Sequence, residues 1–185
     1  MATTGNVSAA KPATGGALSV GATSLTLPTA TGTSLATGFT NLGYISEDGL
    51  SNETTHDTEE IKAWGGDTVL RPQTGFTDTF KVTLIETMNV DVLKEVFGSG
   101  NVSGTLSTGI AVSVDSSESV ERAWVCDMIM RNNAAKRVVI PKGRITEVGE
   151  VSYKDSEAVG YEITITAFPD SSGKTHYEYI KTAAS

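Results

Sequence analysis

The 185-residue chain carries 14 basic and 22 acidic residues, and this net charge of −8 argues against tight binding to nucleic acid, because phosphate contacts need clustered Lys and Arg. Hydrophobic residues make up 38% of the chain, too many for a wholly disordered protein, and no apolar run reaches the roughly 18 residues that a membrane span needs. The single cysteine, Cys126, excludes an internal disulfide and fits a reducing compartment. The length fits one domain.

The first 40 residues are rich in Ser, Thr, Gly and Ala and hold one charged residue, Lys11. Such a composition buries little apolar surface, so it predicts a flexible N-terminal arm over residues 1–40, with short extended pieces at most. Two interpretations stay open, a disordered tail and an arm that orders on a partner subunit. The apolar side chains available for docking are Leu18, Val20, Leu25 and Leu27.

An acidic segment follows at residues 46–62, with a turn signal at Asp48-Gly49 and one base, Lys62. So much charge cannot line a core, and the sequence therefore predicts a solvated loop or a projecting hairpin at about residues 46–75. Apolar residues around Trp64 are candidates for its returning strand. The six acids of the segment are Glu47, Asp48, Glu53, Asp57, Glu59 and Glu60.

Residues 76–84 alternate between apolar and polar side chains, which predicts a strand with one buried face. Asp78 is the one polar residue on its apolar face.

The spacing of apolar residues then changes from that of a strand to that of a helix. Residues 90–97 carry apolar side chains at i, i+3 and i+7, which predicts a short helix. Asn89 is its candidate N-cap, and Gly98 stands where a C-cap with positive φ is favoured.

The rest of the chain reads as strands. Residues 122–131 have apolar side chains on both faces, which indicates a strand covered on both sides. The other predicted strands are residues 109–114, 136–140 (ending at Pro141), 144–153, 160–168 and 176–180. About eight strands and one helix predict a mainly β fold, an antiparallel β-sandwich or barrel with one short flanking helix at 90–97. The predicted β domain spans residues 41–181, and residues 182–185 form a C-terminal tail.

No set of residues in the sequence indicates catalysis. The two histidines, His56 and His176, are expected to be solvated surface residues, and no Gly-x-Ser-x-Gly elbow accompanies them. Cys126 lies on an apolar strand face and is expected to be a buried small hydrophobe. The acids of the 46–62 segment do not fit the calcium-loop pattern. We therefore expect no enzymatic activity, no cofactor and no metal.

Seven segments lie in a fixed order within residues 41–180. They are residues 41–50 (NLGYISEDGL), 61–67 (IKAWGGD), 80–86 (FKVTLIE), 89–93 (NVDVL), 139–141 (VIP), 145–149 (ITEVG) and 168–173 (FPDSSG). In this order the set resembles the major tail tube proteins of long-tailed, non-contractile bacteriophages.

The resemblance implies a structural virion protein that assembles into hexameric rings, which stack into a hollow tail tube. Each subunit would give strands to a continuous inner barrel. The implied partners are other copies of the chain, the tape measure protein inside the tube, and the tail terminator and distal tail proteins. DNA would be passing cargo rather than a tight ligand, and no membrane is involved. Assembly would take place in the host bacterial cytoplasm.

The resemblance also implies roles for particular residues. Residues 46–75, with their acids and Trp64, would be the inter-ring stacking loop, and the N-terminal arm and C-terminal tail would make further inter-subunit contacts. As lumen-facing acids we favour those on the alternating strands, which are Glu147, Glu150 and Glu162. The alternative function is that of a β-sandwich binding or decoration protein on a virion or cell surface. A small β-fold hydrolase ranks third.

Overall fold

A computed structural model describes residues 2–182, which form thirteen strands, one α-helix and short 3-10 turns. The strands are β1 (Ala10–Pro12), β2 (Leu18–Ala22), β3 (Thr40–Asn41), β4 (Ile45–Thr58), β5 (Ile61–Lys62), β6 (Thr68–Leu70), β7 (Gln73–Leu84), β8 (Val102–Thr105), β9 (Gly109–Val112), β10 (Arg122–Met130), β11 (Ala135–Val148), β12 (Tyr161–Ala167) and β13 (Tyr177–Lys181). The helix is α1 (Val90–Phe97). All but the first residue of the predicted tail, 182–185, lie outside the described residues.

Nine strands form one antiparallel sheet in the order β3-β2-β10-β11-β12-β7-β4, with β1 beside β10 and β13 beside β11. The hairpins β5-β6 and β8-β9 are separate two-stranded ribbons. Among the described residues, the end strands β3 and β4 do not pair with each other, so the sheet is not a closed barrel. The predicted mainly β antiparallel fold with one short helix is confirmed.

The helix covers one face of the sheet. Its side chains Val92, Leu93 and Val96 are buried in one apolar cluster with Phe80 and Trp124 of the sheet. The predicted helix bounds agree with the structure, because the signals that set them are local. The Asn89 side chain accepts a hydrogen bond from the backbone N–H of Asp91 (3.0 Å), and Gly98 has a φ of 92°.

Strand β10 is covered on both faces, as predicted. Trp124 and Cys126 point into the core beneath the helix, while Val125, on the opposite face, is buried as well. On that second face, the Arg137 guanidinium donates to the backbone carbonyls of Ala30 and Thr33. The segment between β2 and β3 therefore lies over this part of the sheet.

Strand β11 continues through Pro141, where the sequence predicted an end. Its first half pairs with β13 up to Val139, and its second half pairs with β12 from Gly143 onward. Pro141 therefore stands at the change of partner, next to a bulge on the β10 side between Arg122 and Trp124. Proline has no backbone N–H to donate, and no ladder hydrogen bond requires one where the partner changes, so the strand tolerates Pro141.

The N-terminal region is part of the sheet, and this corrects the expectation of a flexible arm over residues 1–40. Strand β2 pairs with β10, with Leu18 opposite Cys126 and Val20 opposite Trp124. Leu18 and Val20 are 1% exposed in the core of their own subunit, so they are not free to dock on a neighbour. The sequence could not show this, since β2 is stabilised by an edge of β10 a hundred residues away.

Candidate assembly surfaces

A hairpin made of β4 and β7 projects from the sheet and ends in the small ribbon β5-β6. Every residue from 51 to 71 is exposed. The ribbon closes through a hydrogen bond from the Ala63 N–H to the Asp67 carbonyl (2.8 Å), across two glycines with positive φ, Gly65 and Gly66. Of the two predicted forms, a solvated loop or a projecting hairpin, the structure has the hairpin.

The tip of the hairpin presents apolar side chains to solvent. Trp64 is fully exposed, and Ile61, Val69 and Leu70 are about half exposed beside it. The backbone beneath them is braced by Glu60, which forms an ion pair with Arg71 and accepts a hydrogen bond from Thr68. An exposed tryptophan among other apolar residues is typical of a protein contact site.

The seven residues predicted for the stacking loop do not lie together. Glu59, Glu60 and Trp64 lie at or near the tip. Glu53 and Asp57 lie on β4, opposite Thr79 and Gly75. The other two, Glu47 and Asp48, lie at an irregularity in β4 between Ile45 and Leu50, in a cleft that Lys11 and Pro12 of β1 also line.

The face of the sheet opposite the helix is rich in hydroxyl groups along β4, β7 and β12. Cross-strand pairs there include Thr166 with Thr79, Thr164 with Lys81, and Glu162 with Thr83. We call this surface the threonine face. Its members are Ser51, Glu53, Thr55, Thr77, Thr79, Lys81, Thr83, Glu162, Thr164 and Thr166, of which Thr164 is buried between its neighbours.

The three predicted lumen acids have different positions relative to this face. Glu162 belongs to it. Glu147 is exposed at a bulge of β11, with Thr164 as its cross-strand partner, so it borders the face. Glu150 is exposed beyond the end of β11. The threonine face therefore carries few charges, and one of them, Lys81, is basic.

The sheet has one long free edge. Among the described residues, the fourteen-residue strand β4 (Ile45–Thr58) pairs with β7 alone, so its outer backbone groups lack a strand partner. The opposite end strand, β3 (Thr40–Asn41), has only two residues. A long exposed edge is a template for pairing with another chain.

A buried polar cluster lies at the base of the hairpin. Asp78 is 1% exposed, and its Oδ1 accepts hydrogen bonds from Asn52 Nδ2 (2.8 Å) and Thr54 Oγ1 (3.4 Å). Its Oδ2 lies 2.6 Å from Nδ1 of His176. His176 is half-buried, which corrects the expectation of a solvated surface histidine.

Two effects act on the pKa of Asp78 in opposite directions. Burial raises it, but hydrogen bonds from Thr175, His176 and Asn52, together with the His176 charge, lower the pKa below its ordinary value of 3.8. The carboxylate is therefore ionised at neutral pH. Because an ionised carboxylate only accepts hydrogen bonds, Nδ1 of His176 carries the proton in this contact.

The described residues offer little for catalysis. Burial raises the pKa of the Cys126 thiol to about 12, which leaves it without the thiolate that a nucleophile needs. Over residues 2–182, no group of three or more His, Cys, Asp and Glu side chains could hold a metal ion. The helices of this region are also all too short or too polar to cross a membrane.

Comparison with known proteins agrees with a role in assembly. No curated protein matches the chain. The family described as "Phage tail tube protein" matches residues 1–185, the whole chain. A tail protein is a component of the virion, and the family is a structural one. The chain belongs to the phage tail tube protein family.

Proposed function

We propose that the chain is the subunit of a tail tube of the long-tailed, non-contractile type, built from stacked rings that are hexameric by the family resemblance. The observation that carries the proposal is the projecting hairpin. Its apolar tip around Trp64 is not covered by residues 2–182 of its own subunit, and burial on a second copy would remove that surface from water. In this arrangement the tip contacts the neighbouring ring.

Pairing at sheet edges accounts for the ring itself. Alternate residues of the fourteen-residue strand β4 direct backbone groups to its outer edge, where no strand of the described residues pairs with them, and a neighbouring subunit that adds a strand there satisfies them. Repetition of the same contact around the axis joins the sheets into a closed inner wall, which has no free edge.

The threonine face is the surface that we assign to the lumen. Hydroxyl groups keep it wet, and Glu162 with the bordering Glu147 disfavours close approach of phosphate. DNA then passes the wall without adhering to it. We propose that this lumen holds the tape measure protein during assembly in the host cytoplasm. The tail terminator and distal tail proteins close the two ends of the tube.

Electron microscopy of the purified protein tests the proposal. A tube subunit gives rings or hollow tubes in negative stain, and their number increases with concentration. A decoration or binding protein gives monomers at all concentrations and does not polymerise when preformed tubes are added as seeds. The second result would contradict the tube function.

A further inference from the structure

Asp78 occupies a special position on the hairpin. Counted from the tip, it is the first buried residue of β7, because Phe76 and Thr77 are exposed. A buried carboxylate is unfavourable unless it is paired and hydrogen-bonded, whereas an apolar side chain would complete the apolar face of β7 without that cost. The polar residue therefore needs a reason other than packing.

The partners of Asp78 come from three elements. Asn52 and Thr54 belong to β4, Asp78 belongs to β7, and His176 directly precedes β13. Asn52 Nδ2 also donates to the Thr79 carbonyl (3.0 Å), which ties the two hairpin strands together at this level. The cluster thus joins both strands of the hairpin to the C-terminal segment where the hairpin leaves the sheet.

Hydrogen bonds within the C-terminal segment position His176. Asp170 accepts hydrogen bonds from the backbone N–H groups of Ser172 (2.7 Å) and Lys174 (3.0 Å) and from the Tyr177 hydroxyl (2.7 Å). The turn before His176 and the strand after it are therefore held by one carboxylate. The imidazole also packs edge-on against Phe80, with ring centroids 5.2 Å apart.

From this geometry we infer that Asp78 and His176 form a latch, which fixes the direction of the hairpin relative to the sheet and couples it to the C-terminal strand β13. His176 is a positioning residue, since it acts on the contact surface at the tip without touching it. The inference about hairpin order stands on the contacts alone. Its consequence for stacking rests on the proposed function.

Native-state hydrogen exchange of the full chain tests the latch. In His176→Ala, we expect the amides of residues 50–58 and 73–80 to exchange about tenfold faster, which is the effect of losing a hydrogen bond to a charged group. Amides of β10 and β11 keep their rates. In His176→Asn, the side-chain amide can reach the place of Nδ1, and it should restore most of the protection.

Glu178→Ala is the matched control. Glu178 lies on β13 and pairs with Lys136 (2.7 Å), so its loss removes a polar contact of the same segment without touching the hairpin. Unchanged hairpin exchange in His176→Ala, an equal rise at all amides, an equal rise in Glu178→Ala, or failure of His176→Asn to rescue would each overturn the latch.

Tube formation by the same variants separates the two proposals. A loosened hairpin in His176→Ala together with short or few tubes supports both the latch and the stacking role of the hairpin. A loosened hairpin with tubes of normal length and number would leave the latch intact and contradict the stacking role. Unchanged exchange would reject the latch whatever the tubes do.

Discussion

The carboxylate of Asp78 makes the stability of the subunit depend on pH in acid. Its pKa in the folded protein lies below the unfolded value of 3.8, because hydrogen bonds outweigh burial. A group with a lowered folded pKa contributes stability that is fully present above the unfolded pKa. The contribution is lost as the pH falls through the folded pKa.

Asp78→Asn tests this dependence. At pH 7 we expect a loss of about 2 kcal/mol or more in the free energy of unfolding, since the amide cannot accept the same hydrogen bonds in a buried site. The difference in the free energy of unfolding between the variant and the parent protein should become smaller below pH 3.8, where the parent loses the charge of the Asp78 carboxylate. Urea unfolding across the pH range measures it, and a constant difference at all pH values would refute the assignment.

The sequence marks Asp78 as unusual but does not predict that His176 is its partner. Asp78 was visible as a polar residue on an apolar strand face, and His176 was assigned to the surface. Nothing local joins them, because 98 residues separate the two and only the folded C-terminal segment brings them together. The N-cap Asn89 was predictable for the opposite reason, since its partner is two residues away.

At the scale of elements, a substitution at the tip of the projecting hairpin should affect assembly without affecting the folding of the subunit. Trp64 is fully exposed, so Trp64→Ser should change the free energy of unfolding by no more than about 0.5 kcal/mol. Loss of its apolar contact should nevertheless reduce stacking. We expect fewer and shorter tubes in negative stain and slower sedimentation at equal concentration.

Tyr153→Ser is the control for this substitution, because Tyr153 is also an exposed aromatic residue but lies away from the hairpin. Normal tubes are expected from it. If Trp64→Ser forms tubes as well as Tyr153→Ser does, the tip is not a stacking contact. If Trp64→Ser unfolds the subunit, the exposed position of the side chain is wrong.

Elements with complete local signals were predictable, whereas those stabilised from a distance were not. The helix Val90–Phe97 has its cap, its apolar stripe and its terminal glycine within ten residues of sequence. Strand β2 has only two large apolar residues, Leu18 and Val20, and depends on pairing with β10. Strand β11 passes through Pro141 because its partner changes there, and a sequence does not show partners.

For the whole molecule, the sheet shows where the charged residues lie and therefore which surface DNA could pass. The net charge of −8 argued against nucleic acid as a ligand. On the sheet, however, acids are sparse on the threonine face, where Glu53 and Glu162 stand among hydroxyl groups and Lys81. A lumen lined by the threonine face would neither bind phosphate strongly nor repel it strongly.

Charge reversal on this face tests whether it lines the lumen. Virions with Glu147→Lys and Glu162→Lys gain lysines beside the passing phosphates, so DNA should be released several-fold more slowly. Both side chains are exposed, and within residues 2–182 neither forms an ion pair, so tubes should assemble normally. Dye-detected DNA release from virions mixed with host envelopes gives the rate.

Glu157→Lys reverses one charge outside the threonine face, half the change in net charge of the double variant, on an exposed loop where Glu157 pairs with Lys154 (3.2 Å). Release at the normal rate is expected from this control. Because both sets of virions differ from the parent in the sign of exposed charges, an effect of net charge alone would slow both. Normal release from the double variant would place the threonine face outside the lumen and would assign the DNA path to another surface of the subunit.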